Sequence, residues 1–269
     1  MSIYSALNRL FCLGTLLLLA TSSLANTQNT AQPWQDPVYI QKAFNEIALK
    51  NEYRATEGRI LKWRAPIRYQ FVYHKLKKNP LIEQLFHTHL QHLQTITKHP
   101  IQPHNPRHTG QANLLIHLTP DSLYEKVIQS TSPTHTKDLA RKSHCMAGFE
   151  RNRQNTIIKA QVVIPVDHVF SKGLLVSCIV EETTQVLGLP NDADWVNPSI
   201  ANDATKIELL TGLDYLFLKI LYDKSLKPGL PYPQNQRVIQ RVIQKLQSNG
   251  EIKHASQTIN QTGLYPELN

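Results

Sequence analysis

The chain has 269 residues, 41% of them hydrophobic, enough for one large domain with a buried core. Its 29 Lys and Arg outweigh 20 Asp and Glu, giving a formal net charge of +9. The basic residues, such as Lys75, Lys77, Lys78, Arg151, Arg153, Arg237 and Arg241, are scattered, and neither a glycine-rich phosphate loop nor a nucleic-acid motif accompanies them. Nucleic acid is therefore excluded as a partner. The charge reads as solvated surface, with anionic envelope polymers or acidic peptides as the alternative.

Residues 1–25 read as a secretory signal peptide. Arg9 precedes an apolar run at 10–20, and Ser23-Leu24-Ala25 has the small-x-small form of a cleavage site. The run is short for a membrane span, and nothing later resembles one. The expected location is periplasmic or extracellular. Residues 26–37 are polar and expected to be loose.

The body of the chain starts with a helix at 38–51, spaced by Ile40, Phe44, Ile47 and Ala48. Residues 60–73, rich in aromatic and β-branched side chains, read as a strand. Asn79-Pro80 opens a helix to about 97, with Leu81, Leu85, Leu90, Leu93 and Ile96 inward. Its histidines, His87, His89 and His92, read as surface residues, as do His99, His104 and His108 after it; a metal site on His89 and His92 is the lesser alternative. Residues 100–110 form a proline-rich loop and 112–118 a strand. A short helix at 121–129 and a loop at 130–135 follow. Residues 156–166 make a strong strand, in which Pro165 suggests an edge position. A buried helix then starts at about Lys172.

That helix carries Glu181-Glu182-Thr183-Thr184-Gln185, followed by Val186-Leu187-Gly188-Leu189-Pro190-Asn191-Asp192. Glu181 and Gln185 are four apart and share a face, with Glu182 one step round. Gly188 can stop the helix and Pro190 prevents its resumption. Zinc hydrolases place His, Glu and His at the first, second and fifth of these positions, the Glu being the general base. Here the base position keeps Glu182, while Glu181, Gln185 and Asn191 or Asp192 stand where imidazoles would. Carboxylate and amide oxygens suit calcium or magnesium better than zinc. No cofactor is expected, with an atypical oxygen-ligand metal as the alternative.

Three runs, 178–194, 198–204 and 210–230, resemble the bacterial domain-of-unknown-function family 2927, whose members look like exported relatives of zincin peptidases without an established activity. The resemblance implies an α+β, zincin-like fold. It has a mixed twisted sheet with an edge strand beside the motif helix, in a single domain at 38–248 whose lower part, after about 190, is helical. By the same resemblance the strand at 156–166 is the edge that receives an extended peptide. Ala201 stands where a metzincin turn carries Met, which argues against a working zinc site.

Cys145 and Cys178, left after the signal, most simply form one disulfide in an exported chain. Thr211 and Asp214 have capping-box form, which makes Asp214 structural, although the family likeness invites a functional role. An apolar helix to Tyr222, an amphipathic helix at 237–246 and a polar tail at 249–269 complete the chain. Two functions follow from the motif. The first is a non-catalytic pseudo-peptidase that binds a peptide or protein partner. The second is a metal-dependent hydrolase with Glu182 as base.

Overall fold

Several helices begin where a short polar side chain accepts hydrogen bonds from the orphan amides of the first turn. Asp36 Oδ1 accepts from the amides of Val38 and Tyr39 at 2.8 and 2.9 Å, and starts helix α1, Pro37–Leu49. Asn79 does the same for Leu81 and Ile82 and starts α2, Pro80–Thr97. In both helices proline occupies the first turn, where its missing N–H costs nothing. These details belong to a computed structural model that describes residues 32–51, 58–107, 110–131 and 143–268. The expected signal segment, residues 26–31, His108 and most of the loop at 130–135 lie outside the described residues.

The chain is α+β, with a mostly parallel six-stranded sheet. The strands are β1 (Lys62–Trp63), β2 (Ile67–Tyr73), β3 (Ile101–Pro103), β4 (Leu114–Thr119), β5 (Met146–Arg151) and β6 (Thr156–Pro165). Their order is β1-β6-β4-β2-β3, with β5 antiparallel along β6. Ile116, Leu118, Val162 and Ile164 share one face and are wholly buried, and His117, Thr119 and Val163 are buried on the other, as expected where both faces of a parallel sheet are covered.

The edge strand is not where Pro165 suggested. Strand β6 pairs with β4 from Ala160 to Pro165 and with β5 from Ile157 to Val163, so it is internal. Pro165 is its last residue and leads straight into helix α4, Val166–Lys172, so it interrupts no ladder. The edge beside β6 is β5, whose sequence, with Gly148 inside it and little alternation, gave no strand signal. The expected strand at 60–73 is likewise two strands, broken at 64–66 by a segment that includes Pro66.

Helix α3 (Asp121–Thr131) covers β5 and β6 through Tyr124, Val127 and Ile128. The helix expected from about Lys172 starts at Leu175, and α4 before it was not foreseen. Gly173, at φ 71°, ends α4, and α5 runs from Leu175 to Gln185. Beyond the motif lie α6 (Gly212–Tyr222), α7 (Gln234–Ser248), α8 (Glu251–Asn260) and α9 (Tyr265–Leu268).

Both ends of the domain are more ordered than composition suggested. Residues 251–260, expected as part of a polar tail, form α8 because Ile252, Ala255 and Ile259 make one buried face. That face meets α6 at Gly212, where an added Cβ would stand 2.8 Å from the Ser256 amide nitrogen. Trp34 is buried against the same glycine, and Gln35 Nε2 donates to the Ile252 carbonyl at 3.1 Å. Residues 33–37, part of the segment expected to be loose, are therefore ordered.

On α2 Leu85, Leu90, Leu93 and Ile96 face inward as expected, and the buried face is wider than they imply. Leu81 is exposed, whereas His89 and His92 are buried. His89 Nε2 lies 3.4 Å from Thr184 Oγ1 on α5, and His92 Nε2 lies 2.8 Å from Thr262 Oγ1. Gly263 makes room for the second ring, since a Cβ there would fall 2.0 Å from His92 Nδ1. Among the described residues no helix is long and apolar enough to cross a membrane.

Candidate functional site

Helix α5 is locked at both ends. Cys178, in its first turn, is bonded to Cys145, one residue before β5, with the Cα atoms 5.9 Å apart. The motif helix is thus tied covalently to the sheet edge. At the other end, the carbonyls left without helical partners are met by aromatic donors. Trp63 Nε1 donates to the Val186 carbonyl at 2.8 Å, and the Tyr222 hydroxyl donates to the Leu187 carbonyl at 3.0 Å. Gly188, at φ +115°, lets the turn press against β1's approach; a Cβ there would lie 2.0 Å from the Leu61 carbonyl oxygen. The buried Thr183 and Thr184 return their hydroxyls to the carbonyls of Ile179 and Val180, so the apolar side of the helix holds no stranded donor.

The polar strip projects from this fixed frame. Gln185 Nε2 lies 3.1 Å from both carboxylate oxygens of Asp192 and 3.5 Å from Glu181 Oε1. Asn191 does not join them. Its amide donates to the Glu46 carbonyl on α1 at 3.1 Å and to the Asp192 carbonyl at 3.0 Å, which pins the turn. Glu182 is also turned elsewhere. It is 5% exposed, and its charge is felt at Tyr124 on α3, whose hydroxyl is pushed up by burial first and by Glu182 in addition.

A residue that sequence reasoning missed completes the group. One carboxylate oxygen each from Glu181, Asp192 and Asp203 lie within 4.8 Å of one another. Asp203 arrives there because its neighbour Asn202 folds the intervening loop. The buried Asn202 amide donates to the carbonyls of Asp194 and Val196, both at 2.9 Å, and its oxygen accepts from the Ala204 amide at 3.0 Å. The Ala193 amide closes the loop base on the Ala201 carbonyl at 3.0 Å. The adjacent Asn-Asp pair was the available signal. An Asx residue that ties a loop sets its successor in place.

Asp214 lies behind this loop. It accepts from Ser199 Oγ at 2.6 Å and from the amides of Ile200 and Thr211 at 3.2 and 2.8 Å, while Thr211 caps α6 in return. Burial pushes its carboxyl up, and these donors act against that. Its surroundings are those of a buttress.

The donor set decides which ion the strip suits. Three carboxylates form a hard-oxygen group, towards which Gln185 turns its amide nitrogen, and no His or Cys is part of it. Zinc, the ion of the zinc-hydrolase pattern, prefers imidazole and thiolate, and these residues do not fit it. Glu182, the motif's carboxylate at the base position, is not one of the group.

A family model described as protein of unknown function (DUF2927) matches residues 37–241, most of the described domain. The chain belongs to the DUF2927 family. The matched span runs from the start of α1 into α7, so it includes the sheet, the motif helix and the Asn202 loop. No curated protein and no solved structure matches the chain.

Proposed function

We propose that this DUF2927 protein is an exported, non-catalytic binding module on a metallopeptidase-like scaffold, and that it takes an extended peptide along β5. The supporting observation is the edge itself. Among the described residues β5 pairs only with β6, and the Cys145–Cys178 bridge fastens its start to α5. A strand with one unpaired flank offers amides and carbonyls to a peptide, and a pinned strand does so with little ordering cost. An edge strand beside the motif helix is also what the zincin likeness implies. The separation of Glu182 from the acidic group favours binding over hydrolysis.

The test is amide hydrogen exchange of the oxidised protein with and without peptides selected from a random extended-peptide library. Slower exchange across 146–151, with the peptides recovered intact, is the expected result. Cleavage of those peptides, abolished in Glu182→Gln, would overturn the reading.

The acidic group favours a second reading, a metal-dependent hydrolase with a hard divalent cation held by Glu181, Asp192 and Asp203 and with Glu182 as base. Stoichiometric calcium or magnesium in the purified protein, lost in Glu181→Ala together with peptide hydrolysis, would establish it over the first.

A further inference from the structure

At the far end of β5 the chain turns back through residues 152–155, and this hairpin is tightly built. The Asn152 amide donates to the Thr156 carbonyl and the Asn155 amide to the Asn152 carbonyl, both at 3.0 Å. Asn152 Oδ1 accepts from the amides of Gln154 and Thr156, also at 3.0 Å. Asn155, buried and at φ 57°, takes the left-handed position that asparagine tolerates. Its side-chain oxygen accepts from Arg151 Nη1.

The hairpin rests on a second turn. Gly229, at φ +75°, would place a Cβ 2.8 Å from the Gln154 carbonyl oxygen, so only glycine permits this approach. The Gly229 amide donates to the Ile60 carbonyl at 2.8 Å, and its own carbonyl accepts from Arg59 Nη1 at 3.2 Å. Three chain segments are thus fastened to one another around a depression of about 460 Å³, lined by Arg59, Arg151, Arg153, Gln154, Asn155 and Gly229 among others. Among the described residues that line it none is acidic. The nearby Glu150 faces Lys159 instead, at 3.8 Å.

We propose that this depression is a binding site for a phosphate-type oxyanion, a phosphomonoester or phosphodiester carried on a small polar molecule or a lipid headgroup. Gathering three guanidinium groups in one place costs repulsion that a bound anion relieves. Guanidinium forks match phosphate oxygens two at a time, and Arg151 has five donors, of which the bond to Asn155 uses one. The bond to Asn155 holds Arg151 at the depression before any ligand arrives, which lowers the ordering cost of binding. The volume is in the lower part of the range of small-molecule sites, roughly 300–1,000 Å³. The site shares Arg151 with the end of β5 but is otherwise built from the 152–155 turn, Arg59 and Gly229, none of which belongs to the acidic group on α5, and it stands whether or not the peptide reading does.

The experiment is calorimetric titration of the purified protein with inorganic phosphate, at ionic strength held constant with chloride. It is run beside flotation with phosphatidylcholine vesicles with and without phosphatidylglycerol. Wild type, R151Q/R153Q, the single variant R153Q and the exposed control K77Q/K78Q are compared, with folding checked by circular dichroism. Saturable phosphate binding, or flotation that needs phosphatidylglycerol, is expected in wild type and the control and should weaken about tenfold or more in R151Q/R153Q. Phosphate binding without flotation identifies a soluble phosphorylated ligand, and flotation identifies a lipid. Neither response in wild type, or an equal loss in K77Q/K78Q, overturns the proposal.

Discussion

Gln185 and Asp192 meet head-on, the amide nitrogen 3.1 Å from each carboxylate oxygen, at a position where the zinc-hydrolase pattern would place an imidazole. That contact draws Asp192 towards Glu181 and, through the folded loop, towards Asp203. Three carboxylates so close repel one another, by about 1 kcal/mol for a pair at 4 Å in water-like surroundings. Asp203→Asn should therefore raise the thermal midpoint in EDTA by about 2–4 °C, as expected for ~1 kcal/mol in a domain of this size. Millimolar calcium should raise wild type more than the variant. Scanning fluorimetry in the two buffers checks both, and a lower midpoint for the variant in EDTA would remove the repulsion argument.

The Cys145–Cys178 bridge closes 33 positions of chain. In the chain-entropy model a loop of that length stabilises by about 3–4 kcal/mol. The Cys145→Ala, Cys178→Ala double variant should lose that much in urea unfolding. It should also exchange amides faster in β5 and in the first turn of α5 than elsewhere. Uniform acceleration would mean that the bridge does not serve the edge in particular.

The buried histidines predict an acid limb. Burial holds His89 down at about 3, helped by the neighbouring His92, and holds His92 down at about 4; His117 is held at about 4 by burial, with His74 adding to it. Below the ordinary histidine value of 6.5 the unfolded chain takes up protons that the folded chain refuses. Stability is thus complete above about pH 6.5 and is lost as pH falls towards 4, by roughly 1.4 kcal/mol per pH unit for each fully neutral ring. His89→Leu should shrink the difference in unfolding free energy between pH 7 and pH 5. An unchanged difference in urea titrations at the two pH values would show that His89 is not part of the limb.

Gly188→Ala should be severe. The new methyl group would collide with the Leu61 carbonyl, 2.0 Å away, in a backbone region that L side chains rarely adopt. A loss of about 3 kcal/mol or more is expected. Gly173→Ala, at φ +71° but with nothing within 4 Å of its added Cβ, should cost only about 1 kcal/mol. Parity between the two would mean that the Leu61 contact relaxes freely.

Much of the helical frame was legible because its signals are local. Asn79-Pro80 and Thr211 with Asp214 set helix starts that the structure keeps, and Ile239, Val242, Ile243 and Leu246 form the buried face of α7. The sheet edge was not legible, because β5 is defined by its pairing with β6 and carries little apolar alternation of its own. Polarity misled at α8 and at His89 and His92, where one buried face of three residues on α8 and one absent Cβ at Gly263 bear on burial. In the site, helical spacing brought Glu181 and Gln185 to one face. It could not foresee that Asn191 would turn to Glu46, nor that Asp203 would be delivered by a loop tied through Asn202.

That single buried amide has a consequence for how the acidic group can change. Asn202 grips the carbonyls of Asp194 and Val196 together, so residues 194–203 respond as one piece, and Asp203 cannot drift from Asp192 by small adjustments along the loop. Alterations in this stretch should accordingly act in steps, either preserving the spacing of the negative charges or dispersing them altogether.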